Sequence, residues 1–324
     1  MPGSQVVQTI SSVVASSVPL VFAALGETLT EKAGVVNLSL DGTILLSAMT
    51  GFAVAFTSGS LLLGFVAAMV VGAAIGWVVA YGSIALKQDQ IALGFVMTLL
   101  CADLSSFLGA PYVRKPGPSV PHMPVPGLST IPVVGPILFD QNLLVYLSYA
   151  SVVAAWVWLS RTQPGLNLRG VGERPEAAFA RGINVTKTQY LYTMLGGALV
   201  GLSGAAYSLS VKLGWSHRHT AGMGWIALAI VIFGGWSPFR VALGAYLFGA
   251  LKSLGSILQP AFPRVPTHVF QAAPFALMIL ALLLVSGGFV ERLSLHLPLK
   301  ARHVFNALLR GNPPAALGKP FQPK

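Results

Sequence analysis

An all-α fold is what this sequence predicts: a polytopic integral membrane bundle of about eight to ten helices with broken or re-entrant segments. Only 9% of residues are charged and 54% are hydrophobic, with a mean hydropathy of +0.74. A water-soluble domain carries charge on about a quarter of its residues. The apolar residues come in runs long enough to cross roughly 30 Å of hydrocarbon, which takes about 20 residues. The 20 Lys and Arg, against 9 Asp and Glu, gather mostly in the gaps between these runs.

Taken in order, the runs place spans near 5–25, 34–57, 60–86, 90–110, 141–160, 189–211, 224–239, 240–258 and 268–288. No Lys or Arg precedes Lys32, so the first run lacks the basic flank of a cleaved signal and reads as a retained helix. Gly34 and Gly42 bracket the start of the second span and permit a break there. The Pro- and Gly-rich stretch Pro111–Gln141 has no helical periodicity and reads as an irregular loop able to cap one mouth. The seventh run is short for a full crossing, which predicts a broken or re-entrant helix. The pairs Gly72 and Gly76, and Gly197 and Gly201, have the spacing of close helix packing. Residues 1–290 then form one transmembrane domain with a connecting loop at about 162–188. Residues 291–324 form a basic, Pro-rich, partly disordered tail in reach of anionic membrane lipid.

Fourteen of the twenty Lys and Arg fall on one side of this arrangement, which the positive-inside rule makes cytoplasmic, with the N-terminus outside and the C-terminus inside. The same rule accounts for the net charge of +11 without a nucleic-acid partner. Cys101, the single cysteine, sits in an apolar run and reads as a packing residue. No G-x-S-x-G, H-E-x-x-H or G-x-x-x-x-G-K-[ST] pattern occurs, so the chain offers no catalytic residues, no cofactor site and no nucleotide-hydrolysing loop of its own. His217 and His219 lack a third ligand nearby, so a solvated loop is read there rather than a metal site.

Acids inside apolar spans are costly unless paired, which makes each a functional candidate. Glu27 and Glu31 are one turn apart at the end of the first span, either at the interface with Lys32 neutralising one of them or in a pathway. Asn37 and Asp41 are also four apart and project from one face of the second span, as a gate, a solute contact or a structural lock, or else as an interfacial cap. Asp103 lies within the fourth span with no cation near it in sequence. It is expected to face the bundle interior and to find a hydroxyl or amide donor such as Ser105 or a residue on another helix, as a site in the pathway or as a buried hydrogen-bond lock. The other standout is the charged island Arg169–Gly182, a partly helical loop between apolar spans that suits a soluble partner.

Three segments carry a resemblance: LGETLTEKAGVVNLSLDG at Leu25–Gly42, GVGERPEAAFARGINV at Gly170–Val185 and TAGMGWIALAIVIFGGWSP at Thr220–Pro238. In these the chain resembles the permease subunits of bacterial ABC importers, within the branch for nucleosides and simple sugars, and looks most like the shorter permease of nucleoside importers. The resemblance implies a coupling element built from Gly172, Glu173, Arg174, Glu176, Ala177, Ala178, Arg181 and Gly182. It also implies an ATP-binding cassette subunit that hydrolyses ATP, a second homologous permease, an extracytoplasmic substrate-binding protein and a place in the bacterial inner membrane. The sequence departs from the longer importer motif in lacking I-x-L-P, and Asp41 stands where the family commonly has Glu. Open alternatives are a permease for branched-chain amino acids and a proton-coupled secondary transporter using Glu31, Asp41 or Asp103.

Overall fold

The computed structural model describes residues 2–259, individual positions between 262 and 280, and residues 311–321. The ninth expected span, 268–288, lies largely outside the described residues. The helices are α1 (Pro2–Lys32), α2 (Leu40–Ser58), α3 (Leu61–Ala80), α4 (Gln90–Gly109), α5 (Leu143–Arg161), α6 (Gln163–Glu173), α7 (Pro175–Ala180), α8 (Val185–Ala206), α9 (Met223–Phe233) and α10 (Pro238–Leu258). Single π turns, Tyr81–Ala85 and Tyr207–Val211, prolong α3 and α8. Among the described residues, six helical segments are long and apolar enough to cross a membrane. The α9 helix, at 11 residues, is too short, as its run predicts.

Local chemistry sets the helix starts. The side chains of Ser60, Asp89, Asn142, Thr162 and Asn184 each accept a backbone N–H from the first turn of the helix that follows. Pro occupies the first turn of α6, α7 and α10, where its missing N–H costs nothing. The first helix runs seven residues beyond its expected end at Leu25. Glu27 and Glu31 therefore lie on its last two turns.

Helix α8 is the hub, packed on α1, α2 and α3. Absent side chains make this possible: a Cβ on Gly72 would lie 2.1 Å from the Gly197 carbonyl oxygen, and one on Gly26 would lie 2.5 Å from that of Gly196. In lipid, where apolar surface gives helices no reason to associate, such backbone contact supplies the attraction. Helices α1, α2 and α8 are mostly enclosed, whereas α3, α4 and α5 turn Leu, Val and Phe outward in the manner of lipid-facing helices. Cys101 is buried among the apolar residues between α2, α4 and α8.

Two elements start inside the bundle rather than at its ends. A Cβ on Gly42 would abut Thr98, eight residues into α4 and hence about 12 Å along it. Helix α2 thus begins at depth, and residues 33–39 reach it as non-helical chain. The N-terminus of α9 meets the same point, where a Cβ on Gly224 would lie 2.2 Å from the Asp41 nitrogen. The far end of α9 reaches the end of α1, where the Trp236 indole N–H donates to Glu31 Oε2. That end also carries α6 and α7, with Gly172 packed against the Lys32 carbonyl.

At the opposite end the stretch 111–141 is irregular as expected, apart from short 3-10 and π turns. It folds back over α2 and α8, with Gly117 against the Phe52 ring and the Val120 N–H donating to the Leu209 carbonyl at 3.1 Å.

Candidate functional site

The non-helical connection 33–39 is held almost residue by residue. Gln189 of α8 donates to the Ala33 carbonyl at 3.2 Å, and Gln90 of α4 accepts the Val36 N–H at 2.7 Å. Glu27 Oε1 accepts the Asn37 N–H at 3.3 Å, and Thr98 donates to the Leu38 carbonyl at 2.9 Å. Backbone away from water must have its polar groups satisfied, and non-helical chain at membrane depth persists only where protein does so. Side chains from three helices do it here.

Asn37 belongs to this connection. Helix α2 starts only at Leu40, so Asn37 and Asp41 do not share a helical face, contrary to the sequence expectation. The Asn37 Oδ1 instead accepts from the Ser39 N–H at 3.0 Å and the Ser39 hydroxyl at 2.6 Å, closing a tight turn that leads into α2. A short polar side chain competes for its own backbone in this way wherever a helix has not yet begun. Thr43 continues the chain of hydroxyls, 3.2 Å from Ser39 Oγ.

Asp41 occupies the first turn of α2, and its Oδ1 accepts the Gly224 backbone N–H of α9 at 3.0 Å. Two helix N-termini, each carrying a partial positive charge from its unpaired N–H groups, are thereby brought together around one carboxylate. Gly222, the residue before α9, has φ +88° and supplies no side-chain cap of its own, so Asp41 takes that role from another helix. Broken helices whose ends converge inside a bundle are how transporters place polar groups at depth.

Glu27 and Glu31 are both buried within the protein, Glu27 completely. Glu31 receives the Trp236 indole and Glu27 the Asn37 N–H. Between them they tie the end of α1 to the turn after α9 and to the connection before α2. Glu27 Oε2 finds no hydrogen-bond partner among the described residues.

Asp103 corrects the sequence reading most plainly. Its side chain is 77% exposed rather than turned into the bundle, and it pairs with Arg218 at 3.6 Å. Ser105, one donor considered for it, instead donates to the Ala102 carbonyl. The cation was there, but it comes from the loop before α9, far away in sequence. His217 in that loop is exposed and His219 half-buried beside Trp215, and no cluster of three possible metal ligands exists among the described residues.

The charged island folds as two helices separated by a break at Arg174. Helix α7 ends in a Schellman motif: the Ile183 N–H donates to the Ala178 carbonyl at 3.1 Å and the Gly182 N–H to that of Phe179 at 2.9 Å. Gly182 sits at φ +82°, a conformation open to glycine and costly for other residues. Ala178 and Ile183 then pack on Val171 and Val185 beneath the helix. Glu173, Arg174, Glu176, Ala177, Phe179, Arg181 and Gly182 are exposed, while Gly172 and Ala178 face their own chain. Of the island residues singled out in the sequence, those two are unavailable to a docking partner.

Sequence reasoning passes over Gly224 and Trp236, the donors to Asp41 and Glu31. A buried acid signals that a donor exists, and no local pattern says which.

Crossing helices, an interior convergence of two broken ones and an exposed helical knuckle at one end make a polytopic helical bundle of the kind that membrane transporters use. The chain belongs to the family described as the branched-chain amino acid transport system / permease component, which matches residues 9–282. It is the permease component of an ABC transporter and a multi-pass protein of the plasma membrane. It is 34% identical to the guanosine ABC transporter permease protein NupQ of Bacillus subtilis, over 89% of this chain and 94% of the relative. It is 32% identical to the nucleoside ABC transporter permease protein NupC of Lactococcus lactis, over 87% and 94%. It is 38% identical to TsgC13 of Haloferax volcanii, a candidate glucose ABC transporter permease, over 76% of each chain.

Proposed function

We propose that this chain forms part of the translocation pathway for nucleosides or related simple sugars, importing them with ATP hydrolysed by a separate subunit. Relatives aligned over nine-tenths of their length are named for guanosine and nucleosides, and a further one for glucose, which supports this solute class over the amino acids in the family's description. The observation that carries the coupling part is the exposed row Glu176, Ala177, Phe179 and Arg181 on a capped helix rigidly seated on α6 and α8. A short helix with small residues on its exposed side fits a groove, and Arg174 and Arg181 flank it with charges that a partner's acids can meet.

On this reading the ATP-binding subunit docks at the α6–α7 end, which is cytoplasmic. A second homologous permease completes the pore, and an extracytoplasmic binding protein delivers solute at the opposite end, near the 111–141 loop. Residues 1–290 are the permease domain and 291–324 its cytoplasmic tail. Asp41, with Gly224, is the lock where the two broken helices meet in the pathway, and Glu27, Glu31 and Asn37 hold the connection leading to it. Asp103 is an outer ion-pair residue with no part in the pathway.

The test of solute class is a thermal-shift screen of the cognate binding protein against nucleosides, simple sugars and branched-chain amino acids, followed by uptake in cells with and without this gene. Nucleoside or sugar shifts and gene-dependent uptake of the same solute are expected. A shift with amino acids alone overturns the solute class, and uptake that survives ATP depletion but collapses with a protonophore overturns ATP coupling.

A further inference from the structure

The C-terminal segment Gly311–Phe321 is packed where composition expects a loose tail. Pro314 and Ala316 are buried, and the stretch is stiffened by its own turn, with the Leu317 N–H donating to the Pro314 carbonyl at 3.0 Å and that of Lys319 to Ala316 at 3.1 Å. Its contacts fall on separate parts of the α6–α7 end. The Ala316 N–H donates to the Gly172 carbonyl at 2.9 Å, and that of Ala315 to Glu173 Oε2 at 3.3 Å, both at the close of α6. Phe321 lies against Phe179 of α7, with ring centroids 5.7 Å apart. The Gly318 N–H donates to the Gly34 carbonyl at 3.0 Å, in the connection that leads to Asp41. Gly311 packs backbone to backbone on Gly235, beside Trp236.

Ala316 and Gly318 are two residues apart within one turn, yet one holds the α6–α7 knuckle and the other holds the α1–α2 connection. These two partners touch where Gly172 packs on the Lys32 carbonyl and where Leu168 and Ala33 share one apolar cluster, but no hydrogen bond joins them directly among the described residues. A piece stiffened by its own turn and hydrogen-bonded to both ties their movements across that contact, and coupling of this kind travels through elements that contact both sites. We infer that Gly311–Phe321 is a transmission strap, which carries displacement of α7 by the ATP-binding subunit to the Gly34–Ser39 connection and through it to the Asp41–Gly224 contact. This rests on the coupling role proposed for α7.

The strap is tested in the full transporter, co-expressed with its ATP-binding and permease partners and supplied with the binding protein and its solute. Ala316→Pro removes the N–H given to Gly172, a stop after Arg310 removes the strap, and Ala316→Ser keeps the N–H. With the strap broken, the partners still co-purify, uptake falls about tenfold, an ordinary size for coupling between sites, and ATP hydrolysis stops responding to the loaded binding protein. Ala316→Ser stays at wild type. Glu176→Arg and Gly182→Trp are run beside these variants. If they uncouple transport while the strap variants do not, the strap is refuted and α7 keeps its role. If all are silent, both readings fall. Loss of co-purification on truncation with normal transport in Ala316→Pro makes the segment an assembly anchor and also refutes the strap.

A second measurement needs no loss of function. In a Cys101→Ser background, Ile183→Cys and Phe321→Cys, which pack on one apolar cluster beneath α7, joined by a short bifunctional thiol reagent should leave transport intact, because the strap travels with α7. Arrest by the cross-link shows the two moving apart and overturns the inference.

Discussion

The Asp41 carboxylate accepts the backbone N–H of Gly224 at 3.0 Å and so joins the first turn of α2 to the first turn of α9. One side chain thereby serves two helix N-termini that otherwise present like partial charges to each other. Asp41→Ala leaves the Gly224 N–H unpaired in a buried place, at a cost of about 1–3 kcal/mol. Uptake should fall while co-purification with the ATP-binding subunit persists, and Asp41→Asn, which keeps an acceptor oxygen, should fall between the two. Wild-type uptake in Asp41→Ala removes the residue from the pathway.

Gly182 tests the knuckle without touching its charges. Any side chain there must adopt the left-handed conformation, at a cost of about 1–2 kcal/mol for most residues, and Trp adds bulk to the exposed surface. Gly182→Trp and Glu176→Arg should both insert normally and hydrolyse ATP with their partners yet move little solute. Side-by-side uptake and phosphate-release assays decide this, and unchanged uptake removes α7 from coupling.

Gly72 tests the packing around α8. A Cβ there would lie 2.1 Å from the Gly197 carbonyl oxygen, so Gly72→Leu must force α3 away from α8. Overpacking of this kind costs about 1–3 kcal/mol. The detergent-solubilised variant should melt earlier than wild type, whereas Gly59→Ala, with nothing within 4 Å, should lose only the backbone cost of its φ of +68°.

Asp103 and Arg218 are both exposed, and pairs of this kind contribute less than about 1 kcal/mol. Asp103→Asn should transport as wild type does. A severe uptake defect in that variant would return Asp103 to the pathway.

Trp236→Phe removes the N–H donated to Glu31 while keeping most of the ring. A buried acceptor left unpaired costs about 1–3 kcal/mol, so this variant should unfold at a lower temperature. Equal melting of the two proteins would show that Glu31 has another donor in reach.

The amino-acid sequence alone determined the class of protein, most of its spans, the short seventh helix, the irregular 111–141 stretch and the helical character of the island around Glu176. These follow from local quantities: hydropathy summed over a span, proline and glycine in the backbone, and the periodicity of neighbouring residues. Gly72 and Gly197 were likewise legible as packing residues, because a missing side chain has meaning wherever helices touch. What only the tertiary structure decided is which partner each polar group meets. Asn37 leaves the helix for a turn, Asp41 finds Gly224, Glu31 finds Trp236, and Asp103 turns outward to Arg218. Each of these contacts joins segments or backbone states whose energies are settled by the whole bundle, because a polar side chain takes whichever partner the packing brings within reach, and no local pattern in the chain names that partner.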